Sequence, residues 1–165
     1  MRRTGNVNVS PKQQYNTARL NLLVMIVFTL LNIVMLFAES NTMLLFSATV
    51  PYFAVVMGVA DGTGMLLVPC ILVAAIALIL YFLCWLLSKR SYSWMIVALA
   101  LFVLDCVALV GLYVWMEDFS GILDLLIHIW VLYYLIMGVR SGKQLKNAQE
   151  EELPEQPQTP VGPEF

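Results

Sequence analysis

The sequence has little charge for a chain of its length. Only 12% of its 165 residues are Asp, Glu, Lys or Arg, against the roughly 25% typical of soluble domains, while 61% are apolar. It contains one histidine, and neither sign of charge predominates, since 9 Lys and Arg stand against 11 Asp and Glu. This composition excludes an ordinary soluble domain, argues against a nucleic-acid partner and predicts a small protein whose main partner is the lipid bilayer.

Sequence motifs for the common enzyme chemistries are also missing. The chain has no HExxH, GxSxG, Walker or Gly-x-Gly-x-x-Gly pattern. Its three cysteines, Cys70, Cys84 and Cys106, are spaced by 14 and 22 residues, which matches neither a zinc site nor a CxxC redox motif. We therefore expect no catalytic residues, no cofactor and no metal site, and we expect free thiols within lipid.

Long apolar runs occupy most of the chain between residues 20 and 139. Each of four runs is long enough for a helix that crosses a ~30 Å hydrocarbon core. These predicted spans are 20–38, 65–87, 94–115 and 122–139. Before the first of them, Ser10 followed by Pro11 is typical of a helix N-terminus, with a serine cap and proline in the first position. The chain then divides into an N-terminal segment with the helix start (1–19), a membrane bundle (20–139) and a tail (140–165).

A fifth apolar run, Met43–Ala60, raises the question of how many segments cross. If all five runs cross, the nine basic residues divide four against five between the two sides. If Met43–Ala60 does not cross, all nine lie on one side, as the positive-inside rule favours, and Pro51 interrupts this run as well. We therefore predict an all-α membrane protein with four transmembrane helices, a non-crossing outer segment that is re-entrant or interfacial, and both termini in the cytoplasm. The alternative is an ordinary second span with an unusual charge distribution.

The tail, 140–165, is acidic and rich in proline. From Asn147 onward it contains five glutamates, no base and no hydrophobic pattern, which predicts a disordered cytoplasmic segment. Four prolines recur at every third position and would lie on one edge of a polyproline II helix: Pro154, Pro157, Pro160 and Pro163. A ligand for an SH3-type domain is therefore an alternative interpretation of this tail.

Three ionisable side chains fall at membrane depth, where an aspartate costs about 2.5 to 3.5 kcal/mol on insertion scales. Asp124 and His128 lie four residues apart and share one helical face. A short connection makes the last two spans an antiparallel hairpin, so Asp105 lies within about one turn of His128, close enough for one bridging water. The first span supplies an amide at similar depth. The predicted polar cluster in the bundle interior therefore contains Asn32, Asp105, Asp124 and His128.

Small residues also recur near the inner end of the last span. Gly138 and Gly142 form a GxxxG pattern, which allows two helices to approach closely. Because the pattern lies next to the charged boundary, it predicts small-residue packing there without deciding whether a second copy of the chain takes part.

Three segments resemble parts of uncharacterised small multi-pass membrane proteins from Gram-positive bacteria. They are Asn16–Leu23, Phe46–Phe53 and His128–Tyr134. The resemblance covers most of the membrane body and implies a multi-pass protein of a bacterial plasma (cell) membrane. It implies no known activity, so it assigns no role to any residue of this chain.

Two functions are compatible with these features. The first is a non-enzymatic accessory or interaction subunit that contacts a membrane-protein partner or another copy of itself, with the polar cluster as interhelical hydrogen bonds. The alternative is a small proton- or cation-coupled transporter or channel that uses Asp105, Asp124 and His128.

Overall fold

A computed structural model of the chain describes residues 10–40, 44–117 and 122–151. Within these ranges all regular secondary structure is helical, and the four longer helices are apolar enough to cross a membrane. The prediction of an all-α protein with four spanning helices and one shorter apolar segment is confirmed, which fits a small integral membrane protein. The helices are α1 (Pro11–Phe37), α2 (Thr49–Ala60), α3 (Leu67–Leu87), α4 (Ser93–Met116) and α5 (Ile122–Glu151).

The start of α1 agrees with its sequence signal. Ser10 is the N-cap, its hydroxyl accepts a hydrogen bond from the backbone N–H of Gln13 at 3.3 Å, and Pro11 occupies the first helical position. The 27 residues of α1 give a length of about 40 Å. Because this exceeds the ~30 Å hydrocarbon core, part of α1 extends beyond the membrane-spanning length.

Contacts near the helix ends give the directions of the helices. The hydroxyl of Tyr15, near the start of α1, donates to the carbonyl of Ser88 just after α3, at 2.7 Å. The hydroxyl of Ser141, late in α5, donates to Oε1 of Gln14 at 2.8 Å. Both α3 and α5 therefore run antiparallel to α1. The start of α1, the α3–α4 turn and the last part of α5 meet at one end, which we call the basic end because it carries Lys12, Arg19, Lys89, Arg90, Arg140, Lys143 and Lys146.

The segment between α1 and α3 lies at the end of the bundle opposite the basic end. Its residues 44–50 contact α1 and α4, and the last part of α2 contacts the start of α3. Its helix α2 has 12 residues, or about 18 Å, which is shorter than the hydrocarbon core. The described residues that precede α2, 44–48, are not helical. The predicted non-crossing segment is thus a short helix preceded by an irregular stretch, and Met43 lies outside the described residues.

The last helix corrects the predicted boundary of the tail. Instead of ending at 139, α5 continues to Glu151, so 140–151 is helical rather than disordered. No proline occurs in this stretch, Lys146 and Glu150 form an i,i+4 ion pair at 3.3 Å, and Ser141 and Gly142 are buried against the bundle. The prolines of the predicted tail lie outside the described residues.

Small residues allow α1 and α5 to pack closely. A Cβ atom placed on Gly138 would lie 2.5 Å from the Cβ of Ala18, and one placed on Gly142 would lie 2.8 Å from the ring of Tyr15. The predicted small-residue packing is therefore confirmed as a contact within the chain. Around it lie buried apolar side chains from α1, α4 and α5, among them Leu22, Met25, Met95, Phe102 and Leu135.

Candidate functional site

Asp105, near the middle of α4, binds the first backbone groups of α2. Its Oδ2 accepts a hydrogen bond from the N–H of Thr49, and its Oδ1 accepts one from the N–H of Val50, both at 2.8 Å. The N-cap residue of α2 is Ala48, whose side chain cannot accept a hydrogen bond. A carboxylate from another helix therefore supplies the cap, and its negative charge lies at the positive end of the α2 dipole.

His128 lies between two carboxylates. Its Nε2 is 3.4 Å from Oδ2 of Asp105 and 3.2 Å from the hydroxyl of Thr49. Its Nδ1 is 2.9 Å from the backbone carbonyl of Asp124, and because a carbonyl only accepts, Nδ1 carries a proton and donates. The ring of Phe102 stacks on the imidazole with centroids 5.4 Å apart. These contacts hold the imidazole in one orientation.

Asn32, on α1, binds the irregular stretch that leads to α2. Its amide nitrogen donates to the carbonyl of Leu44 at 2.7 Å and to the hydroxyl of Ser47 at 3.0 Å, and its oxygen accepts from the N–H of Leu44 at 2.8 Å. One turn away on α1, the hydroxyl of Thr29 accepts from the N–H of Ala48 at 2.8 Å. Three backbone groups of the stretch 44–48 are thus hydrogen-bonded to side chains of α1, which helps to compensate an irregular backbone at membrane depth.

The four residues of the predicted cluster are all buried, and three of them come together. Asp105, Asp124 and His128 form one contact chain, with a direct approach of 3.4 Å from Asp105 to His128 rather than the expected water bridge. Among the described residues, Asn32 makes its recorded hydrogen bonds to Leu44 and Ser47 instead of to this group. The two sets are joined by the short stretch from Leu44 to Val50.

Three residues of the site with hydroxyl side chains were not predicted from the sequence as members of the cluster. Thr29, Ser47 and Thr49 each hydrogen-bond to a member of the cluster or to the stretch before α2. Small hydroxyl side chains are common in membrane helices, so their presence carries no signal of a site. The hydroxyl of Thr29 also donates to the carbonyl of Met25 within α1, whereas the bonds that connect these residues to the site form only where residues 44–50 enter the bundle.

Among the described residues, one carboxylate oxygen of the site has no hydrogen-bond partner. Oδ1 of Asp124 is buried and its recorded polar approach is to Nδ1 of His128, at 3.5 Å. An unsatisfied buried acceptor costs free energy, and such groups are often found where protons or ligands are handled. Asn21 on α1, outside this group, also has a buried amide nitrogen that no described residue hydrogen-bonds.

Within the described ranges, no three His, Cys, Asp or Glu side chains are arranged to hold a metal ion. The three cysteines are free thiols on α3 and α4, as their spacing predicted. The chemistry that the described site offers is therefore hydrogen bonding and proton exchange among two carboxylates, one imidazole and several hydroxyl groups.

Comparison of the chain with protein-family models, with curated proteins and with solved structures finds no match. The resemblance to small membrane proteins of Gram-positive bacteria therefore stays a prediction, and the role of the site is argued from its geometry.

Proposed function

We propose that the protein is a non-enzymatic accessory or interaction subunit of a bacterial plasma membrane. The observation that carries this proposal is the use of its buried polar groups: Asp105, Asn32 and Thr29 bind backbone groups of residues 44–50. Side chains that bind backbone in this way stabilise one arrangement of the bundle, as a scaffold requires. Helix α2 and the turn after it are thereby held at one end, where a partner can contact them.

The most exposed helix is the best candidate for contact with a partner helix. Of the four spanning helices, α3 buries the smallest share of its most apolar stretch within the chain, 17% against 28% in α1, α4 and α5. Large apolar side chains on α3 are exposed at helical spacing, for example Val68, Leu72 and Ile76. Such a face suits either lipid or another transmembrane helix.

The distribution of charge supports an orientation with both termini in the cytoplasm. Seven of the nine basic residues lie at the basic end, and the other two, Arg2 and Arg3, precede the described residues by sequence. Cytoplasmic boundaries of membrane proteins carry an excess of Lys and Arg. The basic end then faces the cytoplasm, and α2 belongs to the outer side.

Copurification in a mild detergent tests the accessory role. We expect a stoichiometric membrane-protein partner, whose yield falls with Leu72→Trp on the exposed face of α3. Leu104→Trp on α4 is the matched control, since Leu72 and Leu104 are 57% and 66% exposed and the substitution is the same. A chain that purifies alone, or a partner lost equally with both variants, contradicts the proposal.

A second candidate function is proton-coupled transport, which the chain Asp105–His128–Asp124 favours. The ring nitrogens of His128 lie 3.4 and 3.5 Å from a carboxylate oxygen on either side, and Oδ1 of Asp124 has no hydrogen-bond partner in the part of the chain that the structure describes. Linked groups that exchange protons at membrane depth are typical of proton relays. A proton passed along this chain would reach Asp105, whose charge binds the N-terminus of α2.

Reconstitution into vesicles with an entrapped pH dye tests this second function. If the protein is a proton-coupled transporter, its proton flux should be lost with Asp105→Asn and with His128→Ala but retained with Glu39→Gln. Glu39 is the matched control because it is an exposed acid at the same end of the bundle as α2. Absence of flux in the unmodified protein, or flux that survives both changes in the cluster, rejects the transporter and leaves the accessory role.

A further inference from the structure

A second polar feature of the molecule lies at the basic end, away from the His128 cluster. It is a cavity of about 740 Å³ between the start of α1, the α3–α4 turn and the last part of α5. None of its lining residues is acidic, and five are basic: Lys12, Arg19, Lys89, Arg90 and Lys146. A concave site with positive charge of this density attracts anions.

Most of this positive charge is not neutralised within the described residues. Lys146 forms an exposed ion pair with Glu150, whereas no carboxylate is recorded within 4.0 Å of the other four cations. The guanidinium of Arg19 and the ammonium of Lys89 lie 5.9 and 5.8 Å from the centre of the same Trp85 ring. Two like charges close to one indole ring repel each other, and an anion bound in the cavity that both cations line would reduce the repulsion.

Hydrogen bonds within the protein fix the position of one cation of the cavity, Arg19. Nε of Arg19 donates to the hydroxyl of Ser88 at 2.8 Å, and its Nη2 donates to the carbonyl of Trp85 at 3.3 Å, so the guanidinium is held in place. Three neutral side chains of the lining can also donate hydrogen bonds: Asn16, Ser91 and Gln149. Cations combined with neutral donors suit the several oxygens of a phosphate group.

We propose that this cavity binds a phosphate group, carried either by the head group of an anionic phospholipid or by a soluble phosphate ester. The cavity lies at the end of the spanning helices, beside the rings of Tyr15 and Tyr92, at the level where head groups meet a membrane protein. Basic pockets between helices at this level are typical sites for anionic head groups. The site is separate from α2 and does not depend on the proposed function.

Titration of short-chain phosphatidylglycerol into the full-length protein in a neutral detergent tests the site, with the unfolding temperature as readout. The lipid should raise the unfolding temperature, whereas phosphatidylcholine with the same chains should not. Lys89→Gln combined with Arg90→Gln should weaken the apparent affinity about 30-fold, or about 2 kcal/mol, because this pair removes two charge-assisted contacts that the lining of the cavity makes to the phosphate group.

The matched control is Arg140→Gln combined with Lys143→Gln. This pair also removes one arginine and one lysine from the same end of the bundle, but neither residue lines the cavity. We expect it to change the apparent affinity by less than about threefold. Equal losses in both double variants would mean that the lipid responds to general surface charge, and the proposed site would be wrong.

Two further measurements complete the test. Inorganic phosphate and glycerol phosphate, titrated without lipid, distinguish the sources: equal affinity with the same dependence on Lys89 and Arg90 identifies a soluble ligand, and lipid binding alone identifies a head group. Binding of neither overturns the proposal. If the Lys89 and Arg90 variant is less stable in neutral detergent than its control, Lys12→Gln with Arg90→Gln replaces it, since Lys12 is exposed at the start of α1.

Discussion

At the residue scale, Asp105 is tolerated in the apolar interior because its carboxylate has specific hydrogen-bond partners. Burying a carboxylate in a medium without water is costly unless hydrogen bonds and an opposite charge compensate it. Asp105 accepts two hydrogen bonds from the backbone of α2, and its Oδ2 lies 3.4 Å from Nε2 of His128. Its position on α4 and its proximity to His128 were predictable from the sequence, but its backbone partners on α2 were not, since Val50 lies 55 residues away in the sequence.

Asp105→Asn should therefore destabilise the fold although it conserves the shape of the side chain. The new amide nitrogen is a donor and would face the donor N–H of Thr49 or Val50, so one of the two hydrogen bonds is lost. This loss should lower the free energy of unfolding by about 1–3 kcal/mol. The free energy of unfolding in mixed detergent micelles measures this loss. Glu39→Gln, which removes an exposed acid, should change it by less than about 0.5 kcal/mol; equal stabilities of the two variants would show that the cap contributes little.

At the scale of the elements, the contact between α1 and α5 depends on glycines of α5, which have no side chain to keep the helices apart. Gly138 allows Ala18 to approach so closely that an added Cβ would overlap it. Since lipid offers no hydrophobic driving force between helices, close van der Waals packing of this kind is a main source of their association. The glycine pattern predicted close packing, but the partner helix could not be identified, because α1 lies more than 100 residues earlier in the chain.

A pair of glycine substitutions tests this contact. Gly138→Ala should destabilise the protein by about 1–3 kcal/mol, because α1 and α5 must separate to admit the methyl group. Gly111→Ala on α4 is the control, since an added Cβ there meets nothing within 4 Å and removes only the entropic cost of a helical glycine. It should leave stability unchanged or raise it by up to about 1 kcal/mol, as measured by the same unfolding titration. Equal effects of the two substitutions would contradict the close packing.

At the scale of the whole molecule, the two ends of the bundle differ in charge. The basic end has seven described cations, whereas Glu39, Asp61 and Glu117 lie towards the opposite end. Because α5 runs antiparallel to α1, both described chain ends also lie at the basic end. The positive-inside rule then predicts the cytoplasm for that side.

Cysteine labelling in intact cells measures this orientation. In a chain whose three cysteines are replaced by alanine, a cysteine at Thr63 should react with an impermeant thiol reagent. Cysteines at Ser91 and Lys143 should react only after the membrane is permeabilised. Ser141 is unsuitable as a probe because it is 1% exposed and would resist the reagent on either side. The opposite pattern of labelling would place both termini outside the cytoplasm.

Hydropathy and charge are properties of short stretches, so the sequence by itself determined the membrane class, the four long apolar helices, the N-terminus of α1 and the presence of a fifth, shorter apolar segment. It also identified Asp105, Asp124 and His128 as neighbours, because a short connection limits how two helices can pack. Tertiary structure alone decided that Asp105 caps α2, that Asn32 binds Leu44, and that α5 continues to Glu151. These features depend on groups distant in the chain that meet only when α2 enters the bundle and α5 packs on α1.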